Sequence, residues 1–358
     1  MAELIALTAN GLYCEVGEFY IDPWRPVPYA VITHAHADHA RPGSRRYLTT
    51  TDGRHVLQTR MGPTANIETV EYNQPLNRNG VRISLHPAGH VLGSAQIRVE
   101  YRGEIWVVTG DYKVTPDRTC QPFEPVRCHT MISECTFGLP IYQWTPQDLV
   151  FAEMNEWWRQ NRDAGRVSLV CAYSLGKAQR VLAGVDASIA PIYCHGAVER
   201  VNTDYRHTGV PLPHTEYAGH GSSNRDWEGA LVVAPPSAAG TPWVRKFKNP
   251  ATAFASGWMR IRGTRRRRAV DRGFVLSDHA DWPGLLSAIE ASEAEHVLLT
   301  HGSTGPMVRF LREAGYQADS LTTEFHGERD DRDVDENSDS DHTDEQIQFE
   351  LSDAEVTS

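Results

Sequence analysis

His34-Ala-His36-Ala-Asp38-His39 is the stretch on which the reading of this chain turns. Three imidazoles and a carboxylate fall within six residues, a density of donors that a surface loop or an ordinary core rarely gathers. Imidazole suits Zn²⁺, and imidazole mixed with carboxylate is the donor set of hydrolytic zinc sites. The run before the cluster, Tyr29-Ala-Val-Ile-Thr33, is apolar and reads as a buried strand. The cluster is therefore expected on the turn at a strand's carboxyl end.

Working outward, the same rule finds the remaining donors. Catalytic groups in α/β proteins gather beyond the carboxyl ends of strands. Ile83-Ser-Leu-His86 leads to Gly89-His90, and Ile105-Trp-Val-Val-Thr109 leads to Gly110-Asp111. Met131-Ile-Ser133 leads to Glu134, Phe274-Val-Leu-Ser-Asp278 to His279, and Val297-Leu-Leu-Thr300 to His301. Gly89 and Gly110 permit tight turns that aim the next side chain inward. Each residue alone could be a strand-end polar group with a local hydrogen bond. Their joint occurrence behind His34–His39 marks a metal centre.

The order HAHADH (34–39), His90, Asp111 resembles the metallo-β-lactamase fold. Glu134 in Ser-Glu-Cys-Thr-Phe-Gly, His279 in Ser-Asp-His-Ala-Asp and His301 in Thr-His-Gly resemble the three further motifs of its β-CASP branch, which comprises nucleases of DNA and RNA. ITHAHADHARPGS (32–44), PAGHVLGSAQIRVEY (87–101), VVTGDYK (107–113), ECTFGLPIYQW (134–144), SGWMRIRG (256–263) and LSDHADWPGLL (276–286) are most similar to the DNA-ligase-associated DNA exonucleases of bacteria and archaea. The resemblance runs from about Leu7 to His326. It implies an α/β chain: an αββα metallo-β-lactamase sandwich with an inserted parallel α/β β-CASP cap. It also implies action on nucleic acid, DNA before RNA, with a DNA ligase or a repair helicase as partner. An RNA nuclease of the same branch and a catalytically silent scaffold subunit are the alternatives. His301 points toward the RNA-processing members, whereas the ligase-associated group departs from that division. None of the seven expected ligands is missing, which argues against the scaffold.

The chemistry follows from the donors. His34, His36 and His90 are expected to hold one ion, and Asp38, His39 and His301 a second. Asp111 is the natural bridge, because one carboxylate can span two ions about 3.5–4 Å apart. Zn²⁺ is the expected metal, with Mn²⁺ the alternative. Two such ions lower the pKa of a shared water toward neutrality and neutralise charge on a phosphodiester in its transition state. His279 is the candidate general acid for the leaving oxygen, and Glu134 its orienting partner. Asp38, Asp111, Glu134 and His279 form the catalytic set. Asp281 reads as the N-cap of a helix beginning at Trp282-Pro283, and Ser277 and Asp278 receive no direct role.

Composition fits an intracellular enzyme of two domains. The chain has 358 residues, of which 40% are hydrophobic. No run of eighteen apolar residues occurs, and the N-terminus lacks a basic region of the secretory type, so neither membrane nor export is expected and the cytoplasm is the expected compartment. Six scattered cysteines without a CxxC read as buried hydrophobes in a reducing compartment.

Four segments follow from the pattern. Residues 1–145 alternate short strands with Gly/Pro/Asn turns, read as antiparallel β-structure, and form the first part of the metal-bearing domain. Thr145-Pro-Gln-Asp148 opens a helix with Thr145 as cap and Leu149, Val150, Trp157 and Trp158 as its apolar face. From there to 267, strand–helix alternation marks the parallel cap. Residues 268–327 return to the first domain, and 328–358 form an acidic tail. That tail holds thirteen acids and two arginines, so it carries the entire net charge of −11. Such a segment is expected to be disordered.

Trp258-Met-Arg260-Ile-Arg262-Gly-Thr-Arg265-Arg266-Arg267-Arg268 places six arginines in nine residues, from Arg260 to Arg268, a pattern suited to phosphate contacts. Ser174-Leu-Gly-Lys177-Ala-Gln-Arg180 opens a helix at which Lys177 could hold a phosphate. Phe137 and Trp144 could stack on bases, although core packing suits them as well. The tail and the arginines are tethered at high effective concentration. Deleting the residues beyond Glu328 is expected to tighten nucleic-acid binding at low salt. The gain should shrink as salt rises, since exposed charges are screened within about 10 Å at 0.1 M. Binding curves for full-length and truncated chains at two salt concentrations check this, and identical curves would contradict it.

Overall fold

The computed structural model describes residues 3–219, 227–261, 263 and 270–325. Within them the chain is a mixed α/β protein with three sheets. Strands β1 (Ala6–Thr8), β2 (Gly11–Cys14), β3 (Phe19–Ile21), β4 (Ala30–Val31), β5 (Tyr47–Thr50) and β6 (Ile67–Val70) form the first sheet in sequential order. β1 to β3 pair antiparallel, but β3 to β6 run parallel. The expectation of antiparallel structure throughout this region is corrected there. Long connections, one containing α1 (Arg54–Met61), return the chain to the same end of the sheet, which a two-residue turn cannot do.

The second sheet begins with β7 (Leu76–Arg78), β8 (Val81–Pro87), β9 (Ala95–Tyr101), β10 (Glu104–Val108) and β11 (Thr130–Cys135). Its two tight hairpins turn at Asn79-Gly80 (φ 51° and 82°) and Arg102-Gly103 (φ 49° and 87°). Two successive left-handed residues match the twist of the flanking strands. Period-two alternation aims Val81, Ile83, Leu85, Ile97 and Val99 at Leu12, Phe19, Ile21, Val31 and Leu48 of the first sheet, and the two sheets share one core.

The insert starts at α2 (Gln147–Asp163). Pro146 precedes its first turn and no side chain caps it, so Thr145 is not the cap. Val150, Phe151, Met154 and Trp158 are buried along it, while Leu149 is 61% exposed rather than inside. Then follow β12 (Ser168–Cys171), α3 (Lys177–Gly184), β13 (Ile192–Cys194), α4 (Gly196–His207), β14 (Glu216–Tyr217), β15 (Leu231–Ala234), β16 (Ala251–Ala255) and β17 (Arg272–Phe274). The order is β14-β13-β15-β12-β16-β17, with every pairing parallel. Parallel strands are buried on both faces. Here Val170, Leu231 and Val233 pack with α2 and α3, and Leu169 and Val232 with Trp227 and Phe247. The run Phe274–Asp278 is not one strand: Phe274 ends β17 in this third sheet, and the chain then leaves it to deliver His279.

α5 (Trp282–Ser292), β18 (His296–Gly302), α6 (Thr304–Glu313) and β19 (Gln317–Ser320) complete the described chain. β18 joins β11 in parallel, giving the order β19-β18-β11-β10-β9-β8-β7. Asp281 accepts from Gly284 N and caps α5, as its sequence suggests. Leu285, Ile289, Met307 and Leu311 cover the outer face of the second sheet, and Val56 and Leu57 of α1 pack on Ala30, Ile32 and Tyr47 of the first. All six cysteines are free. Among the described residues no helix is long and apolar enough to cross a membrane.

Candidate metal centre

Each donor reaches the centre from a strand end. The chain leaves β4 through Thr33 and turns at His34–His39; the loop after β8 brings His90, that after β10 brings Asp111, β11 carries Glu134 and β18 carries His301. Two glycines make the approach possible. Gly110 has φ 55°, and a Cβ there would lie 2.6 Å from Thr33 Cβ; at Gly89 (φ 72°) it would lie 2.3 Å from the Lys113 carbonyl oxygen.

Asp111 sits in the middle and is 2% exposed. Its Oδ2 lies 3.5 Å from His34 Nε2 and 3.8 Å from His90 Nε2. Its Oδ1 lies 3.6 Å from His39 Nε2 and 3.1 Å from His301 Nε2. The two carboxylate oxygens thus face two separate imidazole groups. His36 joins the first group, its Nδ1 being 3.1 Å from His90 Nε2. Asp38 lies at the rim: its Oδ2 is 3.7 Å from His39 Nε2, and its side chain is 18% exposed.

In several of these rings the outward nitrogen is held, which leaves the other facing inward. His39 Nδ1 is 2.8 Å from Asp22 Oδ2, His90 Nδ1 donates to the Asp278 carbonyl at 2.8 Å, and His36 Nε2 donates to the Leu175 carbonyl at 3.2 Å. The inward atoms His34 Nε2, His39 Nε2, His301 Nε2 and Asp111 Oδ1 are buried and make no hydrogen bond of proper geometry. A buried unsatisfied polar atom costs about 1–3 kcal/mol. Four of them around one point fit a site for divalent cations, with the outer hydrogen bonds fixing ring orientation.

Charge is arranged accordingly. Burial, then the neighbouring His39, hold His34 well below the usual imidazole range, and burial, then His279, do the same to His90. Both are neutral and able to donate a lone pair. Burial also presses on His39, but Asp111, Asp38 and Asp22 outweigh it and raise its pKa to about 10. Burial would lift the Asp111 carboxyl; His39 and His301 overcome that and hold it well below its ordinary value. A cation at this place would replace protons, as ligand binding to metal requires.

His279 stands beside the first group, with its ring centroid 4.7 Å from that of His90. Its Nδ1 lies 3.1 and 3.0 Å from the two Glu134 carboxylate oxygens. Glu134 is itself fixed by the Tyr112 backbone N–H at 2.7 Å. Burial lowers the His279 pKa, but Glu134 and then Asp111 reverse this and raise it to about 10.

Sequence reasoning passed over Asp22. It accepts from Thr33 N at 2.8 Å as well as facing His39, is 1% exposed, and adopts φ 44°. The signal was present: Phe19-Tyr-Ile21 is another apolar run that ends in an acid. Asp278, given no role, is buried beside His90 and His279. Phe325 stacks on His39, with centroids 4.4 Å apart and planes 9° from parallel.

The expected substrate contacts fare differently. Lys177 is corrected: it is 0% exposed and its Nζ lies 2.7 Å from Asp278 Oδ1, so its charge is enclosed and already paired. Arg260 is exposed and donates to the Ile141 carbonyl at 3.3 Å. Phe137 is fully buried among Tyr142, Trp144, Trp258 and His279, a packing role. Arg262, Arg265, Arg266, Arg267, Arg268 and the tail from 328 lie outside the described residues.

Sequence comparison is consistent with the resemblance to the β-CASP metallo-β-lactamase nucleases. Particular relatives are known. The chain is 28% identical over 318 residues, 87% of its length, to a protein of Opitutus terrae named probable DNA ligase, of which it covers 30%. It is 30% identical over 122 residues to endoribonuclease YSH1 of Saccharomyces cerevisiae, covering 34% of this chain and 15% of that protein. It is 30% identical over 128 residues to transcription termination factor FttA of Pyrococcus abyssi, covering 33% of this chain and 20% of that protein. The chain thus spans less than a third of the length of these relatives. A crystal structure of a protein of unknown function from Enterococcus faecalis superposes with a TM-score of 0.55 at 10% identity, over 83% of this chain and 80% of that one. No protein-family model matches the chain.

Asp22→Ala is expected to weaken zinc binding by about 10–100-fold, the usual effect of losing a group that orients a ligand. Zinc competition with a chromophoric chelator measures this. Unchanged affinity would contradict an orienting role for Asp22.

Proposed function

We propose that the chain is a two-metal phosphodiesterase acting on nucleic acid, with DNA as its substrate and exonucleolytic cleavage in DNA repair as its work. The observation that carries this is the Asp111 carboxylate, whose two oxygens face two imidazole groups. His34, His36 and His90 would hold one ion, and His39, Asp38 and His301 the other, with Asp111 between them. When bound, two divalent ions supply Lewis acidity toward a phosphate oxygen and a hydroxide nucleophile at neutral pH. Zn²⁺ suits the imidazole-rich donors, and Mn²⁺ is the alternative.

The chain's own residues do the rest. Asp22 and the carbonyls of Leu175 and Asp278 orient the ligand rings. Glu134 holds His279 Nδ1 and stabilises its charged form, which leaves the Nε2 proton for the leaving oxygen of the phosphodiester. Arg260, exposed and bonded to the Ile141 carbonyl, would meet substrate phosphate, and the arginines of 262–268 would extend that contact.

This reading assigns residues 1–145 and 268–327 to an αββα metallo-β-lactamase sandwich, 146–267 to a β-CASP cap and 328–358 to an acidic tail. The shared core of the first two sheets and the all-parallel third sheet support it. DNA is preferred because the relative aligned along most of the chain bears a ligase name, which also suggests a DNA ligase as partner. The endoribonuclease name of YSH1 favours RNA as the second reading. The complete ligand set stands against a silent scaffold.

Asp111→Ala is expected to abolish cleavage of end-labelled nucleic acid and to lower metal content from about two ions per chain, as loss of a bridge loosens both. A metal-free but fully active chain would contradict the proposal. His279→Ala should keep both ions and lose roughly 10²–10⁴-fold in rate, the range for a general acid. Loss of metal in that variant would make His279 a ligand instead. Sizing the products from single- and double-stranded DNA and RNA over time separates the DNA from the RNA reading, and exonuclease from endonuclease.

A further inference from the structure

Lys177 and Arg180 lie one turn apart on α3, the first helix after β12 in the inserted unit, and are 0% and 1% exposed. Buried cations are costly unless paired and hydrogen-bonded. Both find their partners outside the insert's own sheet. Lys177 Nζ meets Asp278, and Arg180 Nε lies 2.9 Å from Asp117 Oδ2, on the loop that follows Asp111. The rest of the guanidinium goes further. Nη1 donates to the Ser277 carbonyl at 2.5 Å, two residues before His279, and Nη2 donates to the His90 carbonyl at 3.1 Å. One planar fork thus joins the loops carrying His90, Asp111 and His279. The same segment supplies the Leu175 carbonyl that accepts from His36. Its turn is packed closely: at Gly176 (φ 88°) a Cβ would lie 2.3 Å from Val91 Cγ1, in the residue after His90.

An arginine that merely fastened a helix to a neighbouring sheet would need one carboxylate. This one spends its remaining donors on the backbone of two functional loops. The second imidazole group has different support. His39 rests on Asp22 and Phe325, and His301 Nδ1 lies 3.0 Å from Thr300 Oγ1, none of them on the insert.

We infer that the segment 175–180 is a positioning element of the metal centre, with Arg180 as its principal residue, and that it sets affinity chiefly for the ion held by His34, His36 and His90, reaching the other ion only through the shared Asp111. The placement of the inserted unit is thereby coupled to the assembly of one half of the site. This rests on the two-metal reading proposed above.

Arg180→Lys tests it in the full chain. Lysine keeps the charge and can reach Asp117, but it lacks the planar fork that spans two carbonyls. The double variant R180M/D117N removes the pair without leaving a buried unpaired charge. Zinc competition is followed together with thermal melting, and His90→Ala and His301→Ala identify which binding step belongs to which group. In both Arg180 variants the step missing from His90→Ala should weaken about 10–100-fold, with the other step within about threefold. Equal weakening of both steps with a lowered Tm would reduce Arg180 to a structural fastener and overturn the inference. So would two unchanged steps. A wild-type chain that takes up no zinc would overturn the two-metal reading and this inference with it, whereas two ions in wild type with no selective loss in the variants would overturn this inference alone.

Discussion

A single carboxylate shared between two sets of imidazoles is the interaction on which the rest of this structure depends. Asp111 is buried and charged, and nothing apolar could leave it so. Its charge is held by histidines that approach from the two oxygens separately. Burial keeps His34 and His90 neutral, while the surrounding acids keep His39 charged. Such a site has the donors of a metal centre and, without cations, an excess of unsatisfied polar atoms.

The architecture answers to that constraint. Two sheets sharing a core give the rigid base from which short loops converge, and the glycines at 89 and 110 allow them to close without side-chain collision. The third sheet contributes through α3, whose buried cations reach three of the loops. His279 arrives between β17 of the third sheet and α5 on the second, so it stands where the two units meet. The residues that would deliver a proton and those that would bind metal share supports: Glu134 on β11 of the second sheet holds His279, and Arg180 on α3 joins the His90 and His279 loops.

Much of this was legible in the sequence because each donor follows an apolar run, and a short buried strand has few other ways to end. Asp22 obeyed the same rule and was passed over although Phe19–Ile21 is no shorter than the run that leads to Glu134; only the folded chain shows that its carboxylate faces His39 Nδ1. Lys177 was misread for a different reason. A lysine at a helix start looks like a phosphate contact, and only the tertiary placement of Asp278 shows that its charge is spent internally. Parallel pairing of β3 to β6 was hidden because turn residues mark where a chain bends and say nothing of which end of a sheet it returns to. Leu149 failed as a core position because the buried face of α2 is set by the strands it meets, centred on Val150, Met154 and Trp158.

The most direct test of the account is a crystal structure of the zinc-soaked full chain with anomalous data collected at the zinc edge. The account predicts two peaks about 3.5–4 Å apart, bridged by Asp111, as two-metal hydrolytic sites require. One ion would be ligated by His34, His36 and His90, and the other by His39 and His301 with Asp38 at its edge. A single peak, or two peaks with Asp111 bound to neither, would contradict it.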